Sequence, residues 1–296
     1  MIEHAVPKCL SFHAAYRCRH SGACCRAGWT IPFDHAERES VRALRLAGGA
    51  FTEEGHAARH TDGTCTFLEA ESHLCAIHHA AGQSALPLSC RMFPRLVLHD
   101  GRGTLISLSH FCPTAAGLLF EHGDSWPLVG IVDAPPTLTD VGPLDGLDAR
   151  EAWPPLLRPG VMMDVESYGE WERFGVELLT REGVAPAISL DALDATTGRI
   201  AAWSPGGATP LLHAVRDAFS MAPPAADGIL DVHEPALKRW LAARLFGNWI
   251  AYQGDGLHAI VRYLRGCLDT FTTELARDGS PLEAIRRSDL AIVHHA

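Results

Sequence analysis

Lysine is almost missing from this chain of 296 residues: two lysines stand against 23 arginines, a skew that follows from genomic base bias and carries no functional weight. The formal net charge is −10, with 11 basic and 12 acidic residues up to Ser125 and the remaining 14 and 23 beyond it. No cationic excess exists to neutralise a phosphate backbone, so nucleic acid is excluded as a partner. No run of about 18 apolar residues occurs, which excludes a spanning helix and a membrane partner. The first ten residues carry Glu3, His4 and Lys8 where an export signal would be apolar, so a cytoplasmic protein is expected. Common enzyme signatures are missing too: there is no G-x-x-x-x-G-K-[ST] loop, no G-x-S-x-G elbow and no H-E-x-x-H helix.

What the chain does have is cysteine, unevenly placed. Eight of nine cysteines precede residue 113, at Cys9, Cys18, Cys24, Cys25, Cys65, Cys75, Cys90 and Cys112. Without export, thiols stay reduced, and coordination of a soft metal explains the crowding better than disulfides do. The spacing is C-x5-C-C, followed by gaps of 39, 9, 14 and 21 residues, which matches neither a zinc ribbon nor a finger. Cys18, Cys24, Cys25, Cys65, Cys75, Cys90 and Cys112 exceed the four ligands of one tetrahedral zinc. That favours an iron–sulfur cluster or two metal centres, with zinc as the alternative. No C-x3-C-x2-C occurs, so radical S-adenosylmethionine chemistry is disfavoured. Twelve of 17 histidines fall in the first 122 residues, and His20, His78, His79 and His110 stand close to cysteines. Each fits a supporting hydrogen-bonding role better than a ligand, His110 being the first to test.

The fold expected is mainly α, with a small, irregular, cysteine-rich α+β N-terminal part that contains a β-hairpin and is stabilised by metal. Three regions are read: a cysteine-cluster metal-binding region at 1–125, a proline-rich linker or wrapping loop at 126–160, and a helical region at 161–296. Trp29–Phe33 reads as extended, and Asp34 as the N-cap of a helix carrying Val41, Leu44 and Ala47. Arg95–His99 and Thr104–Ser109 flank Asp100-Gly101-Arg102-Gly103, the signature of a hairpin. Its open end should make Cys90 and Cys112 neighbours. Helical apolar spacing appears at Trp171, Phe174 and Leu178, at Leu212, Val215 and Phe219, along Leu237–Trp249, and along Leu257–Leu275. Cys267 sits on the last of these stripes and reads as a core thiol.

The ordered set Cys18…Cys24-Cys25…Gly28-Trp29…Ile31, Cys65-Thr-Phe67-Leu68, Leu74-Cys75-Ala-Ile77, Cys90-Arg91-Met-Phe93-Pro94-Arg95 and Cys112-Pro113 resembles the YkgJ-like cysteine-cluster family, described as zinc- or iron-chelating. Within it, the Gly-Trp after the cysteine pair, the Ile106-Ser107-Leu108-Ser109 before Cys112-Pro113 and the helical second half look most similar to the flagellin lysine-N-methylases. The resemblance implies an iron–sulfur cluster, most simply [4Fe-4S]. For the methylase relatives it also implies transfer of a methyl group from S-adenosylmethionine to lysine on a protein substrate, such as flagellin or another lysine-bearing protein. This chain departs from the C-x2-C-x2-C-C-like arrangement by one thiol between Cys18 and the pair.

Arg91 and Arg95 follow Cys90 in the resembling motif. Either guanidinium could hold a cofactor carboxylate, offset charge on a thiolate cluster, or anchor the loop. Trp29 reads as packing over the metal site rather than covering a cation. No catalytic base is assigned among Tyr16, Tyr168, Tyr252, Tyr263 and the many carboxylates. Three functions follow: a protein-lysine methyltransferase, a non-catalytic metal-binding or redox-sensing protein whose helical half binds a partner, and another metal-dependent protein- or peptide-modifying enzyme.

Overall fold

The structure, a computed structural model, describes residues 6–121, 128–130, 146–221 and 234–293, the side chain of residue 278 excepted. About 50% of the chain is helical, and a small mixed sheet lies in the N-terminal half.

That sheet is built around the expected hairpin. Strands β2 (Arg95–Asp100) and β3 (Gly103–Leu108) pair antiparallel from Arg95↔Leu108 to Asp100↔Gly103. The two residues left between them, Gly101 and Arg102, form the turn. Arg102 is held there by Asp100 and, across the molecule, by Glu172, whose carboxylate accepts from it at 2.9 Å. Strand β1 (Lys8–Leu10) pairs parallel with β3 and carries β4 (Leu128–Gly130) on its other edge. Strand β5 (Gly146–Asp148) runs parallel to β2 on the far side. A Cβ at Gly146 would lie 1.8 Å from the Val97 carbonyl oxygen, so this close pairing requires glycine.

Both faces of the hairpin are covered, which is why its strands read as continuous apolar runs rather than an alternation. Leu98 and Leu105, with Leu10, face the large helical core, while Val97 and Ile106 pack with Cys9 and Met92 on the opposite side. Successive residues point to opposite faces, so one short strand divides its side chains between two cores.

The N-terminal half adds short helices: α1 (Ser11–Ala14), α2 (Ala23–Arg26), α3 (His35–Ala43), α4 (Ala76–Ala81), α5 (Leu88–Met92) and α6 (Pro113–Leu118). Asp34 caps α3 as expected, in a reciprocal capping box with Glu37. The helix is shorter than its apolar spacing suggests. It ends at Ala43, because Arg45 and Gly48 take positive φ, and Ala47 lies beyond it.

Within the expected linker, the described residues are partly strand, β4, β5 and β6 (Leu156–Arg158), and β7 (Val161–Met162), which pairs with β6, opens the region expected to be helical. Residues 131–145, which include the Pro135-Pro136 pair, lie outside the described residues.

The C-terminal half is helical: α7 (Val165–Leu179), α8 (Pro186–Ala201), α9 (Leu211–Ser220), α10 (Glu234–Leu245), α11 (Leu257–Asp278) and α12 (Pro281–Val293). They enclose a core in which Trp171, Trp240, Tyr168, Leu241, Leu245, Ile260 and Cys267 are fully buried. Helix α10 is buried on every side, Lys238, Arg239 and Arg244 included. Apolar spacing alone does not predict that. Cys267 is a core thiol as expected, and burial pushes its pKa up to about 12. No described helix is long and apolar enough to cross a membrane.

Candidate metal centre

Short local elements bring thiols together from distant positions. Helix α2 opens at Gly22, whose φ of +67° and approach to the His73 carbonyl oxygen, 2.5 Å from where a Cβ would stand, exclude other residues. This contact seats Cys24 and Cys25 against the loop that leads to Cys75. The backbone N–H of Cys65 donates to the Cys25 carbonyl at 2.8 Å, and that of Ala76 to Phe67 at 2.8 Å. Isolated bridges Arg59↔Cys65 and Leu68↔Cys75 complete the frame. Phe33, Phe51 and Phe67, with ring centroids 5.0–6.0 Å apart, fill the space beneath it. Cys25 and Cys65 belong to the same buried cluster as Phe33 and Phe67, with Cys24, Cys75 and Cys90 packed against it.

Cys25 is the hub of the thiols. Its side chain lies against those of Cys24, Cys65 and Cys75, and these neighbours together with burial push its pKa far above the usual range. The same closeness acts in reverse on its neighbours: Cys24 and Cys65 are lowered, and Cys75 is lowered to about 7. Backbone N–H groups add to this, from Phe67 to Cys65 and from Ile77 and His78 to Cys75. Donors aimed at sulfur favour the thiolate, the form that ligates metal. Cys90 adjoins the group and feels Cys24, Cys75 and Cys65, but burial raises it well above the ordinary range.

A second set lies on the hairpin side. The Tyr16 hydroxyl stands 3.9 Å from the Cys112 sulfur, and Cys18 interacts with Cys112, with Tyr16 and, across to the first group, with Cys24. The ends of the hairpin do meet, with the Ser109 N–H donating to the Pro94 carbonyl at 2.6 Å. The two cysteines outside it nevertheless divide: Cys90 turns toward the first set and Cys112 toward the second. Cys90 lies within helix α5 (Leu88–Met92) and not on an extension of the strand, a detail hidden from a pairing argument.

The arginines of the Cys-Arg-x-Phe-Pro-Arg motif are placed differently. Arg91 reaches Glu37 at 3.7 Å, and the same Glu37 accepts the Leu88 N–H at 3.1 Å, so α3 and its cap anchor the Cys90 segment. Arg95 donates to the Arg91 carbonyl and lies 5.5 Å over the Tyr16 ring, where Cys18 and Cys112 act on its charge. Trp29 packs edge-wise and tilted against Phe93 and Phe111. Sequence reading missed Glu37 and Tyr16 as parts of this frame. The capping-box spacing and the position of Tyr16 two residues before Cys18 were the available signals.

The donor set fits a thiophilic metal in kind: four thiols that act on one another, three of them biased toward thiolate, beside a buried cluster of aromatic rings. As the side chains stand among the described residues, no group of three or more His, Cys, Asp or Glu could hold a metal ion. Coordination would therefore require the thiols to shift and Cys25 to lose its proton.

Behind the second set lies a buried polar network. His13 and His110 approach at 3.1 Å between Nε2 atoms, and both are held neutral, burial being the main cause. Asp289 accepts from the His110 N–H, the Ser109 hydroxyl and the Trp240 indole, and faces Arg244 at 3.5 Å. Burial alone would raise its carboxyl, but Arg244 and then His110 and Trp240 outweigh it and leave it below the usual range. This network joins α10 and α12 to the loop that carries Cys112.

Among known proteins, residues 17–113 match the family model CxxCxxCC, described as "Putative zinc- or iron-chelating domain". No curated protein and no solved structure matches the chain. Cys18-Arg-His-Ser21-Gly-Ala-Cys24-Cys25 follows the motif that names the family, with Ser21 at its second cysteine. Residues 17–113 are thus similar to this family of zinc- or iron-chelating domains, and they are joined to a helical half that the match does not reach.

Proposed function

We propose that the N-terminal half binds an iron–sulfur centre through the thiolates of Cys24, Cys25, Cys65 and Cys75, and that the whole chain is a protein-modifying enzyme of the lysine-methylating kind. The observation that carries the first part is the Cys25 thiol, which lies against Cys24 of its own helix and against Cys65 and Cys75 from two further segments. Cys90 beside that set, and Cys18 with Cys112 next to it, bring the thiols to more than one zinc can use. When bound, such a centre would supply redox and Lewis-acid chemistry. The chain's own contribution is to exclude water with Phe33, Phe51 and Phe67, to direct N–H groups at sulfur, and to set Arg95 against the charge of Cys18 and Cys112.

The methyl-transfer part rests on the motif resemblance, with S-adenosylmethionine as donor and a lysine-bearing protein such as flagellin as substrate. Arg91 and Arg95 remain the proposed contacts for the donor's carboxylate. A second reading, a single structural zinc, is favoured by the four-membered set around Cys25, which equals a tetrahedral shell. Anaerobic purification followed by iron, sulfide and zinc analysis and an absorption spectrum separates the two. Iron and sulfide in equal amounts with a broad visible band support the cluster, and one zinc per chain without sulfide supports the alternative. Incubation with labelled S-adenosylmethionine and candidate proteins tests the enzyme, and failure of both donor binding and label transfer would remove that part.

A further inference from the structure

The backbone bridge between Arg59 and Cys65 also sets their side chains. On one side of it the Thr66 N–H donates to the Ala58 carbonyl at 3.0 Å, and on the other the His60 N–H donates to the Thr64 carbonyl at 2.8 Å. A pair flanked by ladder bonds in this way is the close kind, and both side chains leave from the same face. The guanidinium is then steered by its own loop, one Nη donating to the Gly63 carbonyl at 2.6 Å. The other Nη is buried and without a hydrogen-bond partner. Among the described residues no carboxylate is paired with Arg59, whereas Arg91 has Glu37. Cys65, only 3% exposed, is lowered mainly by Cys25, with the Phe67 N–H and the charge of Arg59 adding to the effect.

We infer that Arg59 is the charge-balancing residue of the first thiol set: its guanidinium is the countercharge, and its unmatched N–H the donor, for the Cys65 thiolate once metal is held. The inference rests on the metal reading above and adds to it the residue that offsets the charge. A buried N–H of a cation with no acceptor is costly in the metal-free chain. A protonated thiol is a weak acceptor, whereas a thiolate takes a charge-assisted hydrogen bond. Thiolates gathered on a divalent ion or an iron–sulfur core carry net negative charge, and a guanidinium on the same face offsets it where water is excluded. Arg95 has the corresponding place beside Cys18 and Cys112, so each thiol set has an arginine of its own.

The test takes the full chain, reduced and freed of metal, and titrates it with Co²⁺ against a competing chelator, the thiolate-to-cobalt absorption reporting occupancy of the thiols. Arg59→Gln is expected to weaken Co²⁺ binding about tenfold to a hundredfold, and Arg59→Lys, which keeps the charge, to recover most of it. Arg26→Gln removes the same charge from an exposed position next to Cys25 and should change the affinity by less than about twofold. The loss in Arg59→Gln should persist at high salt, because a buried pair is screened little. Denaturant unfolding of the metal-free chain separates this role from a merely structural one. There Arg59→Gln should be no less stable than the parent, since it removes an unmatched donor, whereas loss of a structural arginine would weaken both forms. Where the metal-free chain gives no unfolding transition, the Co²⁺ affinities and the lysine rescue decide. Unchanged affinity in Arg59→Gln, an equal loss in Arg26→Gln, or a metal-free Arg59→Gln chain less stable than the parent would each overturn the inference and leave the metal reading standing. A parent that binds no Co²⁺ through its thiols would remove both.

Discussion

Asp289, near the end of the last helix, accepts the backbone N–H of His110 at 2.6 Å, two residues before Cys112. One carboxylate thereby fixes the loop of a proposed ligand to the helical half, and both residues are completely buried. Asp289→Ala leaves Arg244 without its countercharge and the Ser109, His110 and Trp240 donors without an acceptor. The expected loss is about 3–5 kcal/mol in chemical unfolding, well beyond that of an ordinary surface change. Equal stability of variant and parent would show that the network is not a structural link.

The pH dependence of that loss has a defined sign. The Asp289 carboxyl is depressed in the folded chain relative to an ordinary carboxylate near pKa 3.9. Its contribution is therefore full above about pH 4 and disappears as the pH falls through the lower folded-state value. Unfolding curves of the parent and Asp289→Asn should differ most at neutral pH and converge in acid. A gap that widens as the pH drops would reverse the assignment.

Metal content should follow the thiol geometry. Cys25→Ser, Cys65→Ser and Cys75→Ser are each expected to lose most bound metal, because each removes a member of the central set. Cys267→Ser should retain it, at a cost of about 1–3 kcal/mol for a hydroxyl placed in the helical core. Elemental analysis of the purified variants reads both outcomes together.

In protein freed of metal by a chelator, alkylation should be selective. Cys75, lowered to about 7 and only partly buried, carries substantial thiolate at pH 7.5. Cys9 and Cys267, both buried and raised to about 12, carry almost none. Peptide mass spectrometry after brief iodoacetamide treatment should find Cys75 modified ahead of both, and labelling of the parent with metal restored should slow at Cys75.

Glu37 has two tasks, closing the capping box of α3 and accepting the Leu88 N–H beside the Cys90 helix. Glu37→Ala should cost about 1–2 kcal/mol and weaken metal retention. Glu37→Gln, which can still accept, should recover most of both. Retention unchanged in the alanine variant would confine Glu37 to its cap.

The hairpin, the Asp34 cap, the apolar stripes of the C-terminal helices and the core position of Cys267 were all legible from the residues, since each depends on near neighbours in the chain. Local chemistry sets such features: turn residues, a side chain that reaches three positions along, a spacing that repeats every helical turn. The crowding of thiols before residue 113 also marked out the stretch that matches a zinc- or iron-chelating domain model. Tertiary structure alone decided that Cys25 is the hub, that Cys90 and Cys112 part company, and that Arg244 and Asp289 meet inside the helical half. Those outcomes depend on contacts between segments far apart in sequence, where a single close approach, such as Gly22 against His73 or Gly146 against Val97, selects which side chains face one another.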